Sequence, residues 1–410
     1  MNYKYYDEKY ANLLISKCLV NDGEKPLVII YDGKQVEDFA KLCYLNAIEK
    51  GFKKVELFDK KSSEISEYIS KTPLDKIEKN ELLDRSLLVD YAKKNSNFLY
   101  LETYKESKNK NDLIKSEKVR KIIDEQLDIY YENTSNFKCP WCVACYPNKN
   151  WAKKVYPDLP LKNAYEKLYL NIMKMCQIDK SDPEKEWDDI HKRYYEISQK
   201  LNELRIQRLH YTSDLGTNLD IVLPDNHLWI GADDRDYLGN RIIVNMPGYE
   251  IFTSPVASET NGIVYSSKPL YYNKVITSFG FEFKNGAVEK IITSDINDYR
   301  ILDNIIKRDE GAKYLGECAI VENDTPVNLT NTLYYELLYD ENASCHLALG
   351  DSFPDSLKGG LEMSSEELRQ NGLNSSNTHI DFMIGTPDLK IEADTRYGKK
   401  LIYTNGKYII

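Results

Sequence analysis

Residues 26–58 read PLVIIYDGKQVEDFAKLCYLNAIEKGFKKVELF, and this stretch decides the fold class of the first half of the chain. Pro26–Tyr31 is a short, almost wholly apolar run, Val36–Lys50 is amphipathic with helical spacing, and Val55–Phe58 is again short and rich in strand formers. A strand, a helix and a second strand in such close succession make the βαβ rhythm of a parallel sheet. A further helical stretch reaches about Lys79, and short runs at Leu87–Val89 and Phe98–Glu102 are expected to add strands. The reading is an α/β N-terminal domain with a mostly parallel sheet flanked by helices. No Gly-x-Gly-x-x-Gly follows any of these strands and no Gly-x-x-x-x-Gly-Lys occurs, so the usual backbone cradles for dinucleotide or nucleotide phosphates are missing.

From Pro160 to about Leu209 the sequence is charged and helical, with Asp182-Pro183 as a helix start and Trp187, Ile190, Tyr194 and Ile197 spaced for one buried face. Strand signals then dominate, at 220–223, 228–230, 241–244, 262–266, 275–283 and 288–292, separated by Gly, Asn and Pro turns. Helical stretches are expected at Asn297–Asp309 and Ala343–Leu349, which makes the second part α+β and rich in β structure. A length of 410 residues suits two domains, and the expected division is 1–185 for the α/β domain and 186–410 for a β-rich C-terminal catalytic domain. No internal repeat and no low-complexity tract is present.

With 42% hydrophobic and 29% charged residues the chain has ample material for a core. A net charge of −10 opposes the counterion-releasing contacts that nucleic-acid binding depends on, so no nucleic-acid partner is expected. No stretch is apolar enough to span a bilayer, and Met1–Tyr10 is polar and mixed in charge, unlike a secretion signal; a cytoplasmic location without membrane attachment is the expectation. Of the eight cysteines, Cys139, Cys142 and Cys145 form the one knot. Neither a second Cys pair nor a nearby His completes a four-ligand zinc site, and buried thiols are the reading preferred to a redox pair.

Chemistry concentrates in the C-terminal half. Strict alternation in Thr378-His-Ile-Asp-Phe-Met-Ile384 puts His379 and Asp381 side by side on one face of a strand, an arrangement that suits a divalent metal and equally a hydrogen-bonded pair at a strand edge. His346 follows an acidic entry, Asp340-Glu341-Asn342, and is read in the first turn of a helix, as a ligand or as a packed or capping residue. On that helix Phe353 would share its face two turns on. Glu250 follows a Pro-Gly turn and Glu317 opens an apolar run, where a carboxylate is expensive to bury unless paired or metal-bound. His191, His210 and His227 are read as solvated or structural. Together these signals favour a dinuclear site in which carboxylates bridge two cations and histidines complete the shells.

At these residues the chain resembles the aminopeptidase T and aminopeptidase S (PepS) family of bacterial metalloaminopeptidases. The resemblance runs through Trp151–Pro157, Gly216–Leu219, Trp229–Ala232, Asn245–Pro255, Ser267–Leu270, Leu315–Glu317, Tyr339–Asn342, His346–Gly350 and His379–Gly385 in consistent order. It implies a homodimeric aminopeptidase that releases N-terminal residues from short peptides with a free N-terminus, using two divalent metal ions (Zn, Co or Mn). The implied metal ligands are Glu250, Glu317, His346, His379 and Asp381, with Glu341 as a further acidic site residue, and Glu250 or Glu341 as proton shuttle. Two positions depart from the family pattern. Phe353 stands where the family has Tyr, and Tyr249-Glu250 retains only the second carboxylate of a frequent acidic doublet. The first departure leaves room for a catalytically weakened peptide-binding homologue. A mononuclear iron ring-cleaving dioxygenase, with a similar His-x-Asp pair, is the second alternative.

Overall fold

The computed structural model describes residues 2–104, 113–231, 234–272 and 274–410, so Ala232 of the Trp229–Ala232 motif lies outside the described residues. The chain divides into two compact units, Met1–Asp188 with Asp233–Gly248, and Asp189–Ala232 with Tyr249–Ile410.

The first unit is built on a five-stranded sheet in the order Asn245–Met246, Trp141–Cys145, Asn97–Glu102, Leu27–Tyr31, Val55–Asp59, and every pairing is parallel. All five residues of Leu27–Tyr31 are buried, as a strand covered on both faces requires. Lys34–Glu49 is the helix read from the sequence. One expected strand is corrected: Leu87–Val89 belongs to the helix Ser86–Ala92, because three apolar residues fit either period and here Leu88 packs with Val28, Ile30 and Phe98 over the sheet. Cys139, Cys142 and Cys145 are buried free thiols, and burial pushes the Cys139 thiol up to about 12.

In the helix Pro183–Glu203 the buried face centres on Trp187, His191, Tyr194 and Ile197, so His191 takes the place expected for Ile190. The helical reading of Pro160–Leu209 ends too late, since Ile206–Thr212 is a strand.

Two large antiparallel sheets dominate the second unit, beside the two-stranded antiparallel pair Leu270–Tyr272 and Lys274–Ile276. The larger runs Ala287–Ile292, Gly280–Lys284, Asn261–Tyr265, Asn218–Val222, Ile206–Thr212, Lys390–Thr395, Gly398–Thr404, Lys407–Tyr408. The smaller has the order His379–Met383, His346–Gly350, Leu315–Val321, Glu250–Thr253, Ile230–Gly231. The rings of Phe281 and Phe382 meet at 5.3 Å between the two sheets. Two hydroxyls of the larger sheet, on Tyr403 and Tyr408, donate to the Val321 and Ile320 carbonyls of the smaller one at 2.9 and 2.7 Å. One face of the smaller sheet is thereby closed by core, and the other is left for polar side chains.

The expected helix at Ala343–Leu349 is the second correction. Glu341–Ala343 forms a single 3-10 turn and His346–Gly350 is a fully buried strand between Leu315–Val321 and His379–Met383. Leu and Ala favour helix intrinsically, but a five-residue apolar run flanked by two strands gains more from the ladder than from local propensity. The expected strand 275–283 is split into Lys274–Ile276 and Gly280–Lys284.

Two glycines permit the close approach of the loops that follow these strands. A Cβ on Gly316 would lie 2.0 Å from the Asp351 carbonyl oxygen, and one on Gly350, whose φ is +112°, would lie 1.9 Å from that of Thr378. Gly350→Ala is expected to lower the unfolding free energy by at least ~1–3 kcal/mol, the range for one forced backbone conformation, with the steric clash added. Urea denaturation of the two proteins checks it; equal midpoints and slopes would show that the strand end relaxes freely.

Candidate metal centre

Register converts separate strands into one site. Along Leu315–Val321, Glu317 and Ala319 point to one face; along His346–Gly350, His346 and Ala348 do; along His379–Met383, His379 and Asp381 do. Glu317 lies opposite Ala348, Ala348 opposite Asp381, Ala319 opposite His346, and Gly350 opposite His379. Glu250 lies opposite Val321 on the next strand. The interleaved residues Ala319, Ala348 and Gly350 are small, so the carboxylate and imidazole side chains can lean toward one another over them.

The resulting distances are short. His346 Nε2 is 3.1 Å from Glu250 Oε2, 4.0 Å from Glu317 Oε1 and 3.9 Å from Asp381 Oδ1. His379 Nε2 is 3.1 Å from Glu317 Oε2 and 3.3 Å from Asp381 Oδ1. Each imidazole turns its other nitrogen to a backbone carbonyl, His346 Nδ1 to Ser344 at 3.1 Å and His379 Nδ1 to Asp351 at 2.9 Å. An Nδ1–H donated to a carbonyl fixes the tautomer and leaves Nε2 as the ligand atom. Sequence reading did not identify these carbonyls or the small residues, because backbone acceptors have no signature in residue identity.

Two groups of three donors have their ligand atoms within 4.8 Å of one another: Glu250, Glu317 and His346, and Glu317, His379 and Asp381. Glu317 belongs to both. Five of the six residues expected to bind metal are thus brought together. Glu341, in the 3-10 turn next door, belongs to neither group, although it is buried and within electrostatic reach of Glu250 and Asp381.

The electrostatics reflect crowding of negative charge away from water. Burial, opposed by a hydrogen bond from His379 and reinforced by Asp381 and Glu250, pushes the Glu317 carboxyl up to about 7. Burial, then the charges of Glu250 and Asp381, holds Glu341 well above the usual carboxylate range. Burial works against the imidazolium of His346, yet Glu250, Glu317 and Asp381 raise it to about 10; His379 is raised for the same reason by Asp381 and Glu317. Asp381 is burdened by burial but ends below its ordinary value because both histidines face it. Glu250 Oε2 is buried and has no hydrogen bond among the described residues, His346 Nε2 being at ion-pair distance only. An orphaned carboxylate oxygen within a nitrogen and oxygen donor set fits a divalent cation.

The remaining histidines stand apart. His210 pairs with Asp220 at 2.8 Å and His227 Nδ1 bonds the Pro224 carbonyl at 2.7 Å. Phe353 does not share a helix with His346, but its ring still reaches the site, 5.0 Å from the His379 ring and 5.1 Å from Phe252. The His379 side chain, 26% exposed against 1–14% for the other four, marks the open end of the cluster.

The chain as a whole is similar to known proteins. A family model described as thermophilic metalloprotease (M29) matches residues 6–408. Aminopeptidase AmpS of Bacillus subtilis is 33% identical over 407 residues, covering 97% of each chain. Aminopeptidase PepS of Streptococcus thermophilus is 36% identical over 280 residues, 68% of this chain and 67% of its own. Among solved structures, AmpT from Thermus thermophilus superposes with a TM-score of 0.87 at 24% identity over the full length of both chains. The 2,5-dihydroxypyridine dioxygenase of Pseudomonas putida KT2440 does so at 0.53 and 10%, covering 100% of this chain and 98% of its own. At those identities the two structures establish the fold alone, including its combination of a parallel sheet with antiparallel ones, whereas the family match and the full-length AmpS relationship go further. The resemblance read from the motifs is borne out: this chain belongs to the thermophilic metalloprotease (M29) family and is a peptide-bond hydrolase.

Proposed function

We propose that the protein is a metal-dependent aminopeptidase that removes N-terminal residues from short peptides, with two divalent ions, Zn, Co or Mn, held side by side across Glu317. The observation that carries this reading is the pair of overlapping donor groups sharing that one carboxylate. Glu250 and His346 would complete one ion's protein ligands, His379 and Asp381 the other's. When bound, such ions activate a water molecule and polarise the scissile carbonyl. The aminopeptidase names of the relatives support release from a free N-terminus.

The chain's own residues supply position and proton transfer. The closed sheet face keeps the five donors at fixed spacing before any ion arrives, which is what a preorganised centre needs. Glu341 suits the proton shuttle better than Glu250, because Glu250 is committed to a donor group and Glu341 is not. A carboxylate that burial and neighbouring charges have made a strong base accepts a proton readily and can return it to the departing amine. Phe353 places a ring without a hydroxyl beside His379. That observation favours a second reading, in which the chain retains peptide binding and turns over slowly. The ring-cleaving reading fits less well, since a facial triad needs two histidines and one carboxylate and here three carboxylates converge.

Three outcomes are expected. Metal-depleted protein should hydrolyse aminoacyl-p-nitroanilides only after Zn²⁺, Co²⁺ or Mn²⁺ is restored and should leave N-acetylated substrates intact, while Glu317→Gln loses two-ion stoichiometry and turnover together. Full activity with a single equivalent of metal, or in Glu317→Gln, would remove the shared-carboxylate mechanism. Glu341→Gln should keep its metal content and lose about 10²–10⁴ in kcat with little change in KM; loss of an ion instead would make Glu341 a ligand. Phe353→Tyr should raise kcat tenfold or more, toward the ~10²–10³ that one oxyanion donor contributes; an unchanged or lower rate would show that the aromatic hydroxyl has no place in this active site.

A further inference from the structure

The donors of the centre are carboxylates and histidines, and the segment bonded to its edge strand carries one lysine that has no ion pair or hydrogen bond among the described residues. Ser267 donates its backbone N–H to the Met383 carbonyl at 2.7 Å, so the chain at 266–268 continues past the edge strand of the site sheet. Met383 is the residue opposite His346 and shares the face of His379 and Asp381. Lys268 follows directly, its carbonyl anchored by the Ser266 hydroxyl at 2.6 Å. The Lys268 side chain is half-buried and makes neither an ion pair nor a hydrogen bond with the described residues. Its one facing charge is Asp340, immediately before Glu341.

Asp340 does not neutralise it. The carboxylate of Asp340 accepts the backbone N–H of Tyr334 at 2.8 Å and of Glu336 at 3.3 Å, so both of its oxygens are committed to that turn. Tyr335 sits there in the left-handed region at φ +59°, a conformation rare for an aromatic residue, and its ring packs edge-on against Tyr271 at 5.3 Å. The segment just before Glu341 and the segment carrying Lys268 are thus fastened in place. A half-buried ammonium whose facing carboxylate is already committed to backbone N–H groups is left able to take a further anion. Burial lowers the Lys268 pKa, and the charge of Asp340 offsets that only in part.

We infer that Lys268 is a substrate-positioning residue that takes the C-terminal carboxylate of a short peptide whose N-terminal end lies at the metal centre. The inference rests on the aminopeptidase reading above and deepens it: the substrate class becomes free di- to tetrapeptides, and chains whose C-terminus is amidated or too distant are disfavoured. A lysine that merely tempers the acidic field would act on every substrate equally. An anchor acts only on those that carry the carboxylate.

Metal-loaded enzyme is given leucyl di-, tri- and tetrapeptides and the corresponding C-terminal amides, and kcat/KM is compared within each pair. At one length at least, the acid should be preferred by about tenfold or more, mainly through KM, as for a charge-assisted hydrogen bond. Lys268→Gln should bring that ratio close to one and Lys268→Arg should restore most of it. A ratio near one in the unmodified enzyme at every length, or a ratio that survives Lys268→Gln, overturns the inference. If no peptide is hydrolysed, the aminopeptidase reading itself has failed, and titration calorimetry on the same pairs decides separately. A carboxylate preference that disappears in Lys268→Gln then supports the anchor, and equal binding of acid and amide refutes it.

Discussion

The second unit is organised around an unfavourable quantity: buried negative charge. Glu250, Glu317 and Asp381 converge on the two histidines, with Glu341 close behind, in a setting where water cannot screen them. Like charges at such spacing repel strongly in a low-dielectric site, and the repulsion is relieved by protonation or by a cation. The directions of the pKa shifts show the strain in the metal-free chain, with Glu317 and Glu341 pushed toward the neutral acid and both histidines toward the cation. A divalent ion performs the same neutralisation and leaves the carboxylates charged. Stability and chemistry are therefore coupled at this face, since a bound cation would relieve the repulsion within the cluster.

That cluster persists because the sheet beneath it cannot yield. Two-residue alternation fixes which side chains face the site, and the ladder fixes their spacing. A slip of one residue in His379–Met383 would send His379 and Asp381 into the aromatic contact now made by Phe382 and Phe281. The opposite face thus enforces the register that the ligands need. The glycines at 316 and 350 serve the same end at the strand termini, where Gly316 admits the Asp351 carbonyl that orients His379 and Gly350 admits that of Thr378.

Legibility in the sequence followed the range of the interactions involved. The strand carrying His379 and Asp381 could be read because period-two alternation is local, and the parallel sheet of the first unit could be read because strands and helices alternate along the chain. His346 was misplaced on a helix because His-Leu-Ala-Leu-Gly has no period of its own and its conformation is set by neighbours 30 residues away on either side. Likewise, Leu87–Val89 was too short to distinguish a strand from a turn of helix. The convergence of Glu250 and Glu317 with the histidines depends on cross-strand pairing, which a single sequence does not encode locally; only the resemblance to a family supplied it. Lys268 lies within the Ser267–Leu270 motif, but nothing there marked it as unpaired, because that is recognisable only once its surroundings are known.

The two structural neighbours show why the fold leaves the chemistry open. A ring-cleaving dioxygenase and an AmpT aminopeptidase both superpose over the whole chain, at very different closeness. In this chain the smaller sheet provides a platform of alternating positions, several of which carry carboxylates. One carboxylate with two histidines makes a three-ligand site for a single ion with open positions. Glu250 and Glu317, the latter common to both donor groups, enlarge the donor set beyond those three. On this reasoning an enlarged donor set requires no change of topology. It requires acidic side chains on the strands flanking an existing histidine pair and small residues between them, which are the features found here at Glu250, Glu317, Ala319 and Ala348.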